Sequence, residues 1–416
     1  MGAVRHPSDR EYAKIGCLQE NILINNIMIK IALVLYTSGL DYDDRIRKEI
    51  LTIKELYPFV YFKIFAVEAK NREETGVTSY GIDYRVPYLK SRDKYASGTH
   101  KLTKSLDFYL SVRNEIRSFD ILWCADVEVF PFLLFSFGKP IIWDLHELPR
   151  PFMRNTYMRM LFKYLENKCT VLIHANPARK DVLLNEKLIS NPNKHLIIRN
   201  YPQFNEIDTD YDEKYLEFCE WLGTEKCVYL QGLNDDSRAA FESIVSVIDT
   251  ITAKIVVVGR YDTVSLHKLK ERYGNYLEER VFFTGQIKQL KTPQYMRKCF
   301  MSLVFYKNTE LNNYYCEANR FYQNILNNNP VVVGNNPPMK ELVDKYKFGI
   351  AIDNDGTDIE SISNGINKLL SKYDEYKQNV VKNKHLITWS SQCEVHRSMM
   401  DRILNELNVN KKYRCK

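Results

Sequence analysis

The chain has 416 residues, which predicts two domains, because single hydrophobic cores rarely grow past roughly 250–300 residues. Apolar residues make up 45% and charged residues 27%, ordinary globular values that exclude a disordered chain, a collagen-like repeat and a coiled coil. The net charge of +7 is uneven: residues 28–200 hold 27 Lys and Arg against 20 Asp and Glu, whereas residues 201–416 hold 29 of each. Either the two halves have different partners or the excess is solvated surface.

Residues 1–27 are a leader of unclear role, without the apolar core of a signal peptide. No apolar stretch of the chain approaches the ~20 residues that a membrane-spanning helix needs. The nine cysteines include no C-x-x-C pair, so neither a disulfide framework nor a zinc site is indicated. We therefore expect a protein of the reducing cytosol.

Between residues 28 and 203, short β-rich runs alternate with segments of helical period, a pattern typical of a parallel sheet with crossover helices. The predicted strands are Ile29–Tyr36, Tyr61–Val67, Ile121–Cys124, Pro140–Asp144, Thr170–Ala175 and His195–Arg199. This segment is predicted to form a first Rossmann-like domain.

The same alternation restarts over residues 204–385, after an acidic linker at Gln203–Glu213. The predicted strands are Lys226–Leu230, Lys254–Gly259, Arg280–Thr284, Phe300–Tyr306, Pro330–Val333 and Gly349–Ile352, with helices at Asp236–Thr250, Val264–Tyr273 and Ile359–Lys372. The fold class is therefore α/β, with two doubly wound domains whose strand ends can face each other across a cleft. Residues 386–416 are predicted to be a C-terminal helix.

Single glycines, Gly232 and Gly259, follow two strands of the second half, and Arg238 and Arg260 come soon after them. Glycine lets backbone amides approach a phosphate closely, and Arg320, at the head of another helix, adds a third cation. This arrangement favours a diphosphate site, although tight turns and surface arginines are the alternative. No G-x-G-x-x-G or P-loop is present, which argues against a nicotinamide dehydrogenase and a nucleoside triphosphatase.

Four Asp-x-Asp pairs could in principle hold a divalent metal, but helix capping is the favoured interpretation, and no metal site is predicted. They are Asp41/Asp43, Asp208/Asp210, Asp210/Asp212 and Asp353/Asp355.

His146 and Glu147 emerge from the carboxyl end of a buried strand, Ile141–Trp143. A histidine there could bind a substrate hydroxyl or pass a proton, with Glu147 ordering it. The alternative is a histidine that is hydrogen-bonded within its loop.

The segment Pro151–Glu166 places Arg154, Arg159 and Lys163 among Phe, Met, Tyr and Leu side chains. Such a helix could lie on an anionic membrane surface. The alternative, which we favour, is a crossover helix packed on its own sheet.

Several short motifs, in order and spacing, resemble those of the family 4 glycosyltransferases. The segment Asp43–Glu49 is similar to the family's D-x-R-x-x-R/K-E, Asp144–Leu148 to D-x-H-E-L, and Arg199–Pro202 to R-N-x-P. Tyr229–Gly232 followed by Arg238 is similar to the donor-diphosphate element of the family. The resemblance implies a retaining, nucleotide-sugar-dependent enzyme with the GT-B fold, in which the C-terminal helix of residues 386–416 crosses back to the N-terminal domain.

This sequence departs from the family at its paired glutamates. The run Ala318–Gln323 stands where the family has P-N-K-L-F-E, so that Gln323 occupies the second glutamate position and Tyr315 the first. Glu317 is the one local substitute for a missing carboxylate.

The resemblance assigns roles to individual residues. It implies that Arg238 and Arg320 neutralise the leaving diphosphate and that Gln323 binds the ribose, with no metal and no cofactor besides the nucleotide-sugar co-substrate. Gly39 would let its loop approach the donor, and Gly232, Gly259, Arg260 and Asn319 complete the predicted nucleotide site. His146, with Glu147, would contact the sugar or the acceptor.

The implied activity is transfer of a sugar from a UDP- or GDP-sugar to a hydroxyl of a cell-surface glycan or lipid-linked acceptor, as in capsule or exopolysaccharide synthesis. The basic first half would meet the acceptor at the inner face of the membrane, and no nucleic-acid partner is expected. The alternatives are a catalytically inactive GT-B subunit that assists another transferase, and a GT-B sugar-nucleotide epimerase.

Overall fold

The computed structural model describes residues 28–36, 40, 43–203, 211, 213–233 and 238–414. Contacts divide them into two compact units. The first contains the described residues up to Arg199 and those from Gln392 onward, and the second contains those from Asn200 to Ser391. The leader and most of the predicted linker lie outside the described residues. Each unit is built on a largely parallel sheet, so the predicted pair of Rossmann-like domains is confirmed.

The first unit has an eight-stranded sheet with the order β3-β4-β2-β1-β5-β6-β7-β8, in which β3 alone runs antiparallel to its neighbour. Its strands are β1 (Ile29–Leu35), β2 (Val60–Ala66), β3 (Glu74–Val77), β4 (Asp83–Val86), β5 (Ile121–Ala125), β6 (Ile141–Leu145), β7 (Val171–His174) and β8 (His195–Ile197). Its helices are α1 (Asp44–Leu56), α2 (Lys90–Lys94), α3 (Lys101–Ile116), α4 (Phe130–Leu134), α5 (Arg150–Met153), α6 (Thr156–Lys168) and α7 (Pro177–Asn185).

The second unit has a six-stranded sheet with the order β11-β10-β9-β12-β13-β14, and all of its neighbouring strands are parallel. Its strands are β9 (Cys227–Leu233), β10 (Lys254–Tyr261), β11 (Val281–Gly285), β12 (Met301–Val304), β13 (Val331–Val333) and β14 (Gly349–Ala351). Its helices are α8 (Glu213–Leu222), α9 (Phe241–Val245), α10 (Thr263–Tyr273), α11 (Asn275–Arg280), α12 (Thr292–Lys298), α13 (Leu311–Tyr314), α14 (Asn319–Leu326), α15 (Pro337–Tyr346), α16 (Ile359–Ser371) and α17 (Tyr373–Asn383).

The central strands of both sheets are buried on both faces, as crossover helices require. All of β5 and β6 is buried, including Trp123 and Trp143, and so are Ile255–Val258 of β10. Because neither face of these strands meets solvent, their sequences are nearly continuous apolar runs and do not alternate between apolar and polar residues.

Both sheets change winding direction once. In the first sheet, β1 lies between β2 and β5; in the second, β9 lies between β10 and β12. Loops after these strands turn to opposite faces, which leaves a crevice at their carboxyl ends where ligands of α/β proteins bind.

All twelve predicted strands belong to the two sheets, but the predicted helix Asp236–Thr250 is wrong in extent. The helix α9 covers only Phe241–Val245 and is followed by a 3₁₀ turn at Ser246–Asp249. Ser246, Val247 and Thr250 lower helix propensity, and burial of Val247 and Ile248 fixes a tighter turn.

The last helix, α18 (Cys393–Arg414), belongs to the first unit and packs against α1. Tyr57, which ends α1, donates its hydroxyl to Asp401 of α18 at 2.9 Å. Across the described part of the chain, no helix is both long and apolar enough to cross a membrane.

Candidate functional site

The second unit contains a pocket of about 450 Å³ at the carboxyl ends of β9 and β10. Its lining residues come from β9, β10, the segment after β12 and the start of α14, so the pocket lies at the winding reversal of the sheet. They are Gln231, Gly232, Val258, Gly259, Ile287, Thr292, Tyr306, Cys316, Glu317, Ala318, Asn319, Arg320 and Gln323. Five residues of the predicted nucleotide site are thus brought together: Gly232, Gly259, Asn319, Arg320 and Gln323.

Arg320 is a nearly buried cation, with 9% of its surface exposed. Its guanidinium donates to the carbonyls of Gly232 and Phe305, at 3.0 and 3.1 Å, and lies 4.6 Å from the centre of the Tyr306 ring. It contacts no carboxylate among the described residues, and its Nε–H has no acceptor there. A buried guanidinium without a counter-ion is well suited to an anionic ligand.

Gly232 makes this position of Arg320 possible. Its φ is +73°, a left-handed conformation that other residues rarely adopt, and a Cβ built there would lie 2.1 Å from Nη1 of Arg320. The close approach of carbonyl and guanidinium therefore requires glycine.

The amino terminus of α14 opens into the pocket. Its N-cap residue, Ala318, offers no side-chain acceptor, so no capping side chain competes with a ligand anion for the positive end of the helix dipole. Asn319 is exposed and accepts a hydrogen bond from Asn200 at 3.2 Å. Gln323 lies one turn further on, partly exposed in the pocket wall.

A carboxylate does line the pocket although the paired glutamates of the resembled family are absent. Glu317 stands directly before α14 and accepts a hydrogen bond from the hydroxyl of Tyr322. This bond orients the side chain, and Glu317 lines the pocket beside the neutral amide of Gln323.

Arg238 lies in the same region, with an exposed side chain. Its guanidinium is 5.5 Å from the centre of the Tyr306 ring, and its carbonyl accepts a hydrogen bond from the amide of Lys307 at 2.8 Å. Arg238 and Arg320 thus share one aromatic ring, and burial raises the pKa of Tyr306, although Arg320 opposes this shift. Both cations are thus within cation–π distance of one ring, although Arg238 itself does not line the pocket.

The two residues at the end of β10 differ in position. Gly259 lines the pocket with a φ of +91°, and its amide donates to the hydroxyl of Thr284 at 3.3 Å. Arg260 has an exposed side chain, does not line the pocket, and donates to Gln286 at 3.0 Å.

In the first unit, His146 is held by two carboxylates. Its Nε2 lies 3.1 Å from Asp144 and its Nδ1 lies 3.4 Å from Asp126, whose other oxygen accepts the His146 amide. Burial lowers the pKa of His146, but Asp126 and Asp144 outweigh it and raise the pKa well above 6.5. Both ring nitrogens face carboxylates, an arrangement that favours the charged imidazolium over the neutral ring that a general base needs.

Asp144 also binds Arg45 of α1, at 3.0 Å, and Arg45 contacts Glu49 at 3.1 Å. Burial favours the neutral carboxyl and raises the pKa of Glu49 well above its usual value, although Arg45 opposes this shift. Arg45 and His146 both contact Asp144, and His146 also contacts Asp126, so each of these cations has a carboxylate partner.

We expect the ion pairs of His146 with Asp126 and Asp144 to make the free energy of unfolding depend on pH. The folded-state pKa of His146 lies above the unfolded value of 6.5, so its stabilisation is complete below pH 6.5 and is lost as pH rises through the folded pKa. Asp126→Asn should remove part of that stabilisation, and asparagine tolerates the φ of +68° at this position. Chemical denaturation at several pH values measures the difference, with exposed Asp181→Asn as control. A difference that grows toward alkaline pH would contradict this assignment.

The other predicted site residues lie outside the pocket of the second unit or outside the described residues. Glu147 has an exposed side chain, and Gly39 lies outside the described residues. Of the Asp-x-Asp residues, Asp43 caps α1 by accepting the amide of Ile46, and Asp355 accepts the amide of Asn308. Within the described ranges, no three His, Cys, Asp or Glu side chains are clustered so that they could hold a metal ion.

Two parts of the sites were missed by the sequence analysis. Asp126 directly follows the buried strand β5, the same signal that singled out His146 after β6. Tyr306 stands two residues after β12, and its aromatic contact with both arginines has no signature in the sequence.

Several solved structures are similar to this chain. Sucrose-phosphate synthase of Thermosynechococcus elongatus shares 14% identity over 91% of this chain and 99% of its own, with a TM-score of 0.68. HepE of Anabaena, solved with UDP-glucose, shares 13% over 89% and 99%, with a TM-score of 0.61. A UDP-forming trehalose-phosphate synthase of Burkholderia xenovorans shares 11% over 92% and 99%, with a TM-score of 0.63.

Identities this low show the fold alone, and that fold is GT-B, as predicted. No model of a protein family matches the sequence, and no curated protein does.

Proposed function

We propose that the protein is a retaining glycosyltransferase that moves a sugar from a nucleotide-sugar to a hydroxyl of a cell-surface glycan or lipid-linked acceptor. The observation that carries the proposal is Arg320, buried without a carboxylate partner among the described residues, in a pocket that also receives the open amino terminus of α14. A nucleoside diphosphate supplies the missing negative charge.

UDP is the nucleotide that we favour over GDP. HepE, one of the structures of the same fold, was solved with UDP and with UDP-glucose. The donor pocket of about 450 Å³ is within the usual size of small-molecule sites.

The proposed chemistry concerns the leaving group. As the bond between the anomeric carbon and the diphosphate breaks, negative charge grows on the diphosphate, and groups already fixed toward that charge lower the barrier most. Arg320, Arg238 and the amides of α14 would supply this stabilisation without a metal. Glu317 and Gln323 would bind the ribose hydroxyls.

The first unit would bind the acceptor. Its fixed imidazolium, His146, would orient an acceptor or sugar hydroxyl by charge, while Asp126 and Asp144 hold the ring in place. General-base duty for His146 does not fit, because both ring nitrogens already face carboxylates.

The segment Pro151–Glu166 contains α6, which has features of both a crossover helix packed on its sheet and a helix that lies on a membrane surface. Phe162 and Leu165 are buried and pack the helix on its sheet, whereas Tyr157, Met160 and Tyr164 are 84%, 63% and 51% exposed. These three residues follow helical spacing, and the exposed cations Arg154 and Lys163 lie beside them in the sequence. We propose that this face contacts an anionic membrane surface.

The membrane contact predicts a charge-dependent affinity. Arg154→Gln with Lys163→Gln should reduce binding to phosphatidylglycerol vesicles roughly tenfold or more, since each cation contributes about 1 kcal/mol at such a surface. Arg159 is left unchanged because it pairs with Glu186 at 3.0 Å. Sedimentation measures the bound fraction, and Lys368→Gln with Lys372→Gln is the matched control on the second unit. Equal binding by both doubles would exclude this surface.

The test of the proposed function is a thermal-shift screen of UDP-, GDP- and CMP-sugars, followed by product analysis. A transferase should be stabilised by one nucleotide class and should release nucleotide faster when a hydroxyl acceptor is added. An inactive subunit that has lost donor binding would show no shift with any donor. An epimerase would convert the nucleotide-sugar without an acceptor.

A further inference from the structure

A second pocket, of about 430 Å³, lies in the first unit at the carboxyl ends of β1 and β2. It is lined by Tyr36, residues 67–69, Arg92, Tyr95, residues 97–99, Lys101 and Lys104. Three cations and one carboxylate, Glu68, therefore surround a cavity of small-molecule size.

Lys104 is the unusual residue of this pocket, because only 6% of its surface is exposed. Lysine is almost never buried to this degree unless it is paired, since an unpaired charge loses its hydration. Its ammonium has three N–H donors, yet among the residues that the structure describes it makes one hydrogen bond, to the carbonyl of Ala96 at 2.6 Å. That carbonyl is shared, because the amide and hydroxyl of Thr99 also donate to it, at 3.2 and 2.8 Å.

The nearby carboxylates have other partners. Glu68 accepts the amide of Leu40, Glu128 pairs with the exposed Lys101 at 3.3 Å, and Asp107 accepts both the amide and the hydroxyl of Ser91. Among the described residues, none of them pairs with Lys104 or Arg92. Arg92 donates only to the carbonyls of Glu68 and Ala69.

The local backbone adds positive charge. The helix α3 begins at Lys101, its N-cap residue His100 makes no side-chain hydrogen bond, and its first turn has no acidic residue. Lys101 and Lys104 instead occupy the turn where the helix dipole is positive and where an anion is normally stabilising. In addition, the Tyr36 hydroxyl has no hydrogen-bond partner in the part of the chain that the structure describes.

We infer that this pocket binds the phosphoryl group of a small phosphorylated ligand, with Lys104, Arg92 and the amino terminus of α3 as its anion site. The volume exceeds what a phosphate alone needs, and the hydroxyl of Tyr36 offers a polar contact to the remainder of the molecule, while Tyr95, stacked on His100 at 4.0 Å, forms part of the pocket wall. That this ligand is the acceptor rests on the proposed function; phosphate binding itself does not.

The experiment is calorimetry on the full chain with inorganic phosphate, glucose 6-phosphate and glucose, at 150 mM salt to screen non-specific attraction. We expect glucose 6-phosphate to bind more tightly than phosphate, and glucose not to bind. Lys104→Met keeps the aliphatic stem and removes the charge, so it should weaken binding of glucose 6-phosphate at least about tenfold. Exposed Lys90→Met is the matched control and should bind as the unmodified chain does.

The stability of the unliganded Lys104→Met variant distinguishes a ligand-binding role of Lys104 from a structural one. Without ligand, Lys104→Met should be at least as stable as the unmodified chain, because an unpaired buried charge is removed; a purely structural lysine would leave a less stable protein. Vesicles of phosphatidylglycerol form a second arm: binding that depends on Lys104 there and not with glucose 6-phosphate assigns the phosphoryl group to a lipid headgroup.

The inference is overturned if neither probe binds, or if Lys104→Met binds both as the unmodified chain does. The outcome is independent of donor binding. Binding of a UDP-sugar without phosphate binding rejects this pocket and keeps the transferase, whereas the reverse pattern rejects the transferase and keeps the pocket.

Discussion

Arg320→Lys should weaken the binding of UDP or UDP-glucose by roughly 30- to 100-fold, equivalent to about 2–3 kcal/mol of charge-assisted hydrogen bonding. Lysine keeps the charge but loses the planar fork that contacts Gly232, Phe305 and the Tyr306 ring at once. The ligand would lose both a directed donor and the order of the pocket wall.

Calorimetry measures this affinity, and two further variants make the result specific. Arg238→Ala should also weaken nucleotide binding, and it should leave the stability of the protein unchanged because the side chain of Arg238 is exposed. Arg297→Ala removes an arginine on α12 that does not line the pocket, and should leave the affinity unchanged. Unaltered nucleotide affinity in Arg320→Lys and Arg238→Ala would reject the proposed donor site.

Gly232→Ala should lower both the stability of the protein and its affinity for the nucleotide, because it strains the backbone at residue 232 and displaces the guanidinium of Arg320. The left-handed φ of +73° destabilises alanine by ~1–2 kcal/mol, and the new methyl group would occupy the position of Nη1 of Arg320. Arg320 must then move, and nucleotide binding should fall by at least about tenfold.

Gly223→Ala separates these two causes. Gly223 has a similar φ of +58°, but nothing lies within 4 Å of the Cβ position. It should therefore lose comparable stability in chemical denaturation while keeping its nucleotide affinity. Equal nucleotide affinity in both variants would show that the contact between Gly232 and Arg320 is irrelevant to binding.

The sheets were predictable because their signal is local. Buried parallel strands such as β5, β6 and β10 are continuous, mainly apolar runs of strand length. The short strands β3, at the sheet edge, and β4, beside it, escaped prediction because they are largely polar and only Val86 among them is buried; pairing with each other and with β2 defines them.

The sites were predictable only in part. Glycines and an arginine after strands and at a helix start pointed to the pocket of the second unit, because strand ends converge in a parallel sheet. Other features depend on packing: the contacts of Tyr306 with two guanidinium groups, the pairing of Asp126 with His146, and the burial of Lys104 with no carboxylate partner in the described ranges. No spacing in the sequence reports such contacts.

The hydrogen bond between Arg320 and the carbonyl of Gly232 joins positions 88 residues apart, from β9 to the start of α14. A nucleotide bound at this junction would therefore contact both segments at once and would stabilise the folded second unit over the unfolded chain. At a ligand concentration of 100 times Kd, mass action alone would add about 2.7 kcal/mol to the free energy of unfolding. If the proposed function is correct, the cellular supply of nucleotide-sugar would then affect how long the protein survives proteolysis, because proteases cleave the unfolded chain.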